Sequence, residues 1–339
     1  MKRQAKLFLV RHGETVDNVA QVYAGSRDSA LTNHGYQQAT RLGQHFKVLD
    51  LSFTHIFSSH LQRAVKTAGL IREAQSVPAS EHGPARASPT VIELPVLMEK
   101  DFGAYEGKKF HELRADQSAP ENSGDNKGVE SRTSMSGRAD KFLDEHLLPL
   151  FDGAASEPDL CIAIVSHGML LSVLWKRLLL RLPPNSVTLA PELAAHARNS
   201  LEHLGGWSNT GFLELHMSME HVTQPHPEPE PQPKPISSPS ANDSDQSPKT
   251  ETNSPQILNH DSAVRESEVA QTTDASISAP TGGQSSCKKF DSTWTTVILT
   301  VNGKDHLKGL KRTGGGVGSS RHDDSQKSIE SFFKRRKLE

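Results

Sequence analysis

Residues 7–18 read LFLVRHGETVDN: four apolar residues, Leu7 to Val10, run straight into Arg11 and His12 on a turn that carries Gly13. A buried strand that ends on an arginine beside a histidine meets either an ordinary polar loop or the floor of an anion-handling site. The rest of the chain separates the two. Thr32 caps a helical pattern, NHGYQQATRLGQHFKVL, with Gln38 and Ala39 inside it. FTHIFSS (53–59) reads as a second strand, and Ser59 as the cap of HLQRAVKTAGLIREAQ. An extended run follows at 91–97, then a helix over 138–150, a strand over 161–165 and an apolar helix over 168–180. Such alternation predicts an α/β domain, a three-layer α/β/α sandwich around a mostly parallel sheet. Ligands in such folds sit at the carboxyl ends of the strands, where Arg11 and His12 stand.

Three more segments bring chemistry to that edge. Arg63 opens the helix after the second strand, Glu99 follows the 91–97 run in MEKDFGAYEGKKF, and His167 with Gly168 ends CIAIVSHGMLL. Two histidines, two arginines and a carboxylate form a set that a phosphoryl group requires. Arginine's planar fork matches phosphate oxygens, a neutral imidazole can attack phosphorus, and a second can donate to a non-bridging oxygen. A carboxyl can protonate the leaving oxygen, and helix N-termini after His12, Ser59 and His167 add backbone donors.

The chain has 339 residues and a formal net charge of −2, which argues against electrostatic nucleic-acid binding by the protein as a whole, and no direct sequence-specific nucleic-acid binding is expected. Its two cysteines, Cys161 and Cys287, cannot build a disulfide framework or a metal cluster. The N-terminal apolar stretch is too short for a signal peptide. The longest apolar run, Leu160 to Trp175, is interrupted by Ser166, His167 and Gly168 and is too short to span a bilayer. The chain therefore reads as soluble and intracellular, with no membrane partner. Periodic segments fill residues 1–217. From 218 to 291 proline, serine and acid dominate, an insertion expected to be disordered. STWTTVILTVNGKDHL (292–307) again has the β-branched density of a strand. A lone strand has nothing of its own to pack on, so it is expected to pair back onto the N-terminal sheet. Residues 308–339 read as a flexible basic tail.

LVRHGET, SSHLQRAVKTA, EKDFGAYEG and VSHG, in that order, resemble the motifs of the histidine phosphatase superfamily and its phosphoglycerate mutase-like branch. The resemblance covers roughly 5–217 and then 292–307. NTGFLELH (209–216) and VILTVNGKDHL (297–307) resemble the last two strands of that fold, and GVESRTSMSGRADKF (128–142), with Arg138, its Gly-Glu-Ser segment. The resemblance implies that His12 is the nucleophile, forming a phosphohistidine with its other ring nitrogen held by a backbone carbonyl. Arg11, Arg63 and His167 would bind the phosphoryl oxygens. Glu99 would act as acid and then as base toward water, with Glu93, Asp101 and Glu106 as neighbouring candidates. Asn18 and Gly168 would touch the substrate. A small phosphorylated substrate is implied, with no metal and no organic cofactor. The mutases carry Phe-Thr-Gly-Trp after the first motif; here YAGSRD stands there, with Ala24 in place of the threonine, and DFGAYEG resembles the phosphatase members. Hydrolysis is therefore expected, with a mutase or a weakly active scaffold as alternatives.

The tail ends QKSIESFFKRRKLE. Gln326, Ile329, Phe332 and Phe333 have the spacing of a PIP box, the peptide that binds the sliding clamp PCNA, in which a short helical turn presents the apolar residues to one groove. KRRK (334–337) resembles a nuclear-import signal. A nuclear or cytoplasmic location follows as an expectation.

Overall fold

The computed structural model describes residues 2–76, 89–111, 128–152, 158–195, 200–220, 288–313 and 316–325. Seven strands form one sheet: β1 (Lys2–Arg11), β2 (His55–Ser59), β3 (Val91–Leu94), β4 (Leu160–Ser166), β5 (Val187–Leu189), β6 (Phe212–Glu220) and β7 (Trp294–Gly303). Their order is β3-β2-β4-β1-β6-β7-β5. The pairs β3·β2, β2·β4, β4·β1 and β7·β5 are parallel, and β6 runs against both of its neighbours. The sheet is thus mixed and mostly parallel, as the alternating sequence pattern predicts.

Period-2 side-chain alternation feeds two cores from the same strands. Leu7 and Leu9 of β1 and Ile162 and Ile164 of β4 join one cluster, with Phe142, Leu171 and Trp175. Phe8 and Val10, with Ala163 and Val165, join the other, with Leu42, Phe46 and Ile71. The first cluster is covered by α4 (Arg132–Phe142) and α5 (Gly168–Leu179), the second by α2 (Asn33–Val48) and α3 (Gln62–Gln75); of two short helices, α6 (Pro191–Ala194) packs Leu193 against the first cluster and α1 (Val16–Ala20) contributes to neither. Every residue of β4 is buried, which explains why its sequence is a continuous apolar run rather than an alternating one.

Several boundaries differ from the sequence expectation. The 91–97 run is strand only to Leu94, because Pro95 cannot donate to a ladder and begins a 3-10 turn. The helix expected over 138–150 starts earlier, at Arg132 under a Ser131 cap, and gives way after Phe142 to a π-helical turn and then to a 3-10 turn that contains Pro149. Ser59 does not cap α3: the helix starts at Gln62 without a side-chain cap, and the Ser59 hydroxyl accepts from Leu61 N at 3.3 Å.

Trp294–Gly303 pairs antiparallel with β6, with Leu215 opposite Ile298. Residues 221–287, most of the expected insertion, lie outside the described residues, as do 326–339 with the PIP-box-like pattern. Residues 316–325 of the expected tail lie against the loop before α2 and its first turns. Asn33 N donates to Ser320 O at 3.0 Å and His322 N to Leu31 O at 2.9 Å, and the His322 ring stacks on Tyr36 with centroids 3.7 Å apart.

Candidate active site

Parallel pairing makes the centre of the site. Arg11 on β1 stands opposite Ser166 on β4. The next residue of each strand, His12 and His167, therefore leaves the sheet beside the other, with ring centroids 5.0 Å apart at 56°. Both histidines are buried. Burial first, then the Arg63 guanidinium, pushes each well below the ordinary histidine pKa, so both rings are neutral at pH 7. His12 Nδ1 lies 2.7 Å from Gly13 O. A carbonyl only accepts, so Nδ1 carries the proton and Nε2 keeps a free lone pair. The turn is tight: a Cβ on Gly13 would stand 2.6 Å from Gly35 O, and one on Gly35 only 2.0 Å from Glu14 O. Two glycines, one after the strand and one in the first turn of α2, permit that approach.

The Arg63 guanidinium sits beneath the pair. Its Nε donates to His167 Nδ1 at 3.2 Å, Nη1 to Arg27 O at 2.8 Å, and Nη2 to Ala24 O and Gly25 O at 3.1 and 2.7 Å. Four of its five N–H groups are thereby used, which leaves one for a phosphoryl oxygen and excludes a bidentate fork from this arginine. By donating to His167 Nδ1 it also fixes that ring's proton on Nε2, a buried atom with no acceptor among the described residues. Arg11 gives Nη1 to Trp207 O at 2.6 Å, while its buried Nε is likewise without an acceptor. Burial lowers the pKa of both arginines, Arg11 and Arg63, against the pull of Glu99. Buried N–H groups without acceptors are rare and costly in folded proteins. Here two of them, on Arg11 and His167, lie at the carboxyl ends of β1 and β4, where His12 also stands.

Glu99 lies across the site at the N-terminus of α5. It accepts from Met169 N (3.1 Å) and Lys100 N (2.9 Å), and from Leu170 N at 3.1 Å. Oε1 takes two of these donors and Oε2 one, so a lone pair of Oε2 remains for chemistry on the cleft side. The other acidic candidates are occupied elsewhere. Glu106 accepts from Gly25 N, Ser26 N and Phe102 N, tying the 24–26 loop to the loop before it, and Asp101 accepts from Gly103 N. Glu93 is exposed on β3. Arg138 positions Glu99 without touching its carboxylate: it donates to the carbonyls of Val96, Met98 and Glu99 and pairs with Glu130 at 2.7 Å.

Asn18 has a local duty. Its Oδ1 accepts from Thr15 N, completing a capping box at α1, and from Asn209 Nδ2 at 3.1 Å. Gly168 opens α5 beside Arg11, where a Cβ would stand 3.8 Å from Arg11 Nε, an ordinary contact. Sequence reasoning missed Thr67, whose hydroxyl accepts from Gly13 N, and Trp207, whose carbonyl orients Arg11. It also assigned no role to Glu14 of the RHGET motif. Glu14 is structural: it accepts from Thr32 Oγ1 at 2.9 Å and pairs with Arg312 of the C-terminal segment. Long-range partners of this kind leave no local signal in a sequence.

The arrangement offers a nucleophilic nitrogen, converging N–H donors and a carboxyl across the cleft, the parts of an in-line phosphoryl transfer. The sequence profile of the histidine phosphatase superfamily (branch 1) matches residues 7–206. The chain is 34% identical over 182 residues to a probable phosphoglycerate mutase GpmB of Erwinia tasmaniensis, covering 53% of this chain and 77% of that protein. To a probable phosphatase of Schizosaccharomyces pombe it is 35% identical over 178 residues, covering 51% of this chain and 56% of that protein. Among solved structures, a mycobacterial glucosyl-3-phosphoglycerate phosphatase is 25% identical with a TM-score of 0.44, over 63% of this chain and 91% of that one.

Proposed function

The chain belongs to the histidine phosphatase superfamily, and from that premise we propose that it is a phosphatase that hydrolyses a small phosphomonoester through a phosphohistidine on His12. The observation that carries the reading is the protonation pattern of the buried pair. Gly13 O holds the proton of His12 on Nδ1, which leaves Nε2 a lone pair for attack, and Arg63 holds the His167 proton on Nε2; that N–H and the buried Arg11 Nε–H have no acceptor among the described residues. In the first step His12 Nε2 attacks phosphorus and the P–O bond to the leaving group breaks as Glu99 gives that oxygen its proton. In the second, Glu99 takes a proton from water, the water oxygen attacks phosphorus, and the P–N bond returns its electron pair to His12. Atoms and charge balance within the site's own residues, with no metal in either step. Hydrolysis rather than return to a second oxygen of the substrate is favoured by Ala24, which has no hydroxyl to hold a bound intermediate, and by carbonyls of the 24–27 loop committed to Arg63.

With p-nitrophenyl phosphate and a chelator present, wild type is expected to turn over, and His12→Ala to lose about 10⁴-fold or more in kcat/KM. Glu99→Gln should lose about 10²–10³-fold on an alkyl phosphate, whose leaving oxygen needs a proton, and far less on the p-nitrophenyl ester. An alkali-stable, acid-labile ³²P label that persists in His12→Ala after denaturation in base would overturn the assignment of the nucleophile. Phosphoglycerate isomerisation well above hydrolysis would favour the mutase.

The tail adds a second proposal that rests on sequence pattern alone: Gln326, Ile329, Phe332 and Phe333 bind the clamp PCNA, bringing the enzyme to nuclear sites of replication. A peptide of residues 322–339 should bind PCNA at micromolar concentration and lose that binding with Phe332→Ala. Absence of binding in the full chain and the peptide alike removes the proposal.

A further inference from the structure

A cleft of about 600 Å³ opens from the site, and its charges exceed what one phosphoryl group requires. Arg11, Lys100, Arg132 and Lys176 line it, against the single carboxylate of Glu99. None of the last three cations pairs with a carboxylate among the described residues. Lys100 Nζ lies over the Phe102 ring at 5.7 Å, and Lys176 Nζ meets His203 Nε2 at 3.1 Å. Two other arginines of the same helices are paired: Arg138 with Glu130 at 2.7 Å, and Arg177 with Asp140 at 2.8 Å. Among the unpaired cations of α4 and α5, Arg132 and Lys176 line the cleft, while Lys141 stands exposed elsewhere on α4.

Helix geometry turns that charge into a ruler. Gly168, Ser172 and Lys176 are four residues apart and share one face of α5, and all three line the cleft. Gly168 touches the phosphoryl end beside Arg11; Lys176 is two turns on, about 12 Å along the axis at 1.5 Å per residue. Its side chain leans back toward the helix N-terminus, which brings its charge to roughly 8–12 Å from the reacting phosphorus. Arg132 on α4 borders the same far end, beside Lys176 and Val173, where Arg177 and one carboxylate, Glu202, also line the wall, so the cations there still outnumber the acid. Between the two ends the wall is apolar: Met135, Met169, Val173 and the Trp207 ring, which is fixed by Nε1 donating to Ser172 Oγ at 3.0 Å.

We propose that the substrate is an elongated phosphomonoester carrying a second anionic group, which Arg132 and Lys176 bind at the far end of the cleft, with an apolar segment between. The proposal rests on the phosphatase reading for the reacting end. The far group is a carboxylate or a second phosphate, either of which these cations would hold by charge-assisted hydrogen bonds.

Two comparisons test it on the full chain. The first is kcat/KM for hexane-1,6-diyl bisphosphate against hexyl phosphate, with an ω-phosphonooxyhexanoate arm to separate carboxylate from phosphate as the preferred far anion. The second is the affinity of the corresponding non-hydrolysable bisphosphonate against hexylphosphonate, read by calorimetry. Wild type should prefer the second anion about tenfold or more in both, and the preference should shrink with added salt. In the double variant Arg132→Gln, Lys176→Gln it should fall to about twofold. Equal values for one and two anions in wild type, or a preference that survives the double variant, overturns the proposal. Hydrolysis of both esters without preference sinks the far-end site and spares the phosphatase reading. Preference in binding without hydrolysis of either ester does the reverse.

Discussion

Arg63 and Arg181 are each 1% exposed, and the protein provides for them in opposite ways. Arg181 donates to Asp144 at 2.6 Å and to Asp140 at 2.7 Å, joining α4 to the end of α5. Burial alone would lower its pKa, but the two carboxylates outweigh that and raise it. Arg63 is given carbonyls and an imidazole, no carboxylate within ion-pair distance among the described residues, and a lowered pKa from burial. Arg11 is in the same position, with a buried Nε that has no acceptor. A buried charge without a counter-ion costs stability. Its retention at the carboxyl ends of β1 and β2 fits the proposed function, in which the phosphoryl group would be the counter-ion. Where the same residue type holds the scaffold, the sequence supplies its partners.

Substitution can break this contrast. The largest expected effect is on Arg11→Met, which should lower kcat/KM by about 10²–10³-fold while leaving the melting temperature unchanged or higher. Its mirror image is Arg181→Met, which strands Asp144 and half of Asp140's pairing. Because both carboxylates are partly exposed, the expected loss is only about 2 kcal/mol of stability, with activity per folded molecule within about twofold. If Arg11→Met destabilises as much as Arg181→Met, the distinction between waiting and structural arginines fails. Urea denaturation and p-nitrophenyl phosphate turnover on both variants decide it.

The smallest effect sharpens the electrostatic picture. His12 and His167 both have folded-state pKa values depressed below the unfolded value near 6.5. Their neutral forms therefore contribute stability that is complete above that pH and is lost as the pH falls, because only the unfolded chain then takes up protons. Between pH 7 and pH 6 each should remove about 0.7 kcal/mol. His306, pushed down to about 4 mainly by burial, adds a third titration away from the chemistry. His167→Gln should remove one contribution from the measured slope. A slope that does not change would mean that the His167 ring is protonated in the folded protein.

Much of the site was legible in local sequence because strand ends and helix starts are locally encoded. Apolar runs ending on Arg11-His12 and Ser166-His167, and helical patterns beginning just after, put four of the five candidate residues at one sheet edge by topology alone. Glu99 was harder, since three other acids lie within seven residues of it. Only the backbone N–H groups of Met169 and Leu170, some 70 residues away, single it out. Arg63 was legible as an arginine at the site but not as a guanidinium with four of its five N–H groups already spent. The Arg138 clamp, the Thr67 hydroxyl under Gly13 and the contact of Arg312 with Glu14 depend on chain segments far apart in sequence.

The sequence by itself therefore determined the alternation of elements, the two-faced strands and the residue types at the sheet edge, because hydrophobic period, proline and glycine act over a few residues. Tertiary structure alone decided which imidazole nitrogen carries a proton, which acid faces the cleft and which cations stay unpaired. Those depend on hydrogen-bond partners and burial, and both are properties of the packed chain rather than of any stretch of it.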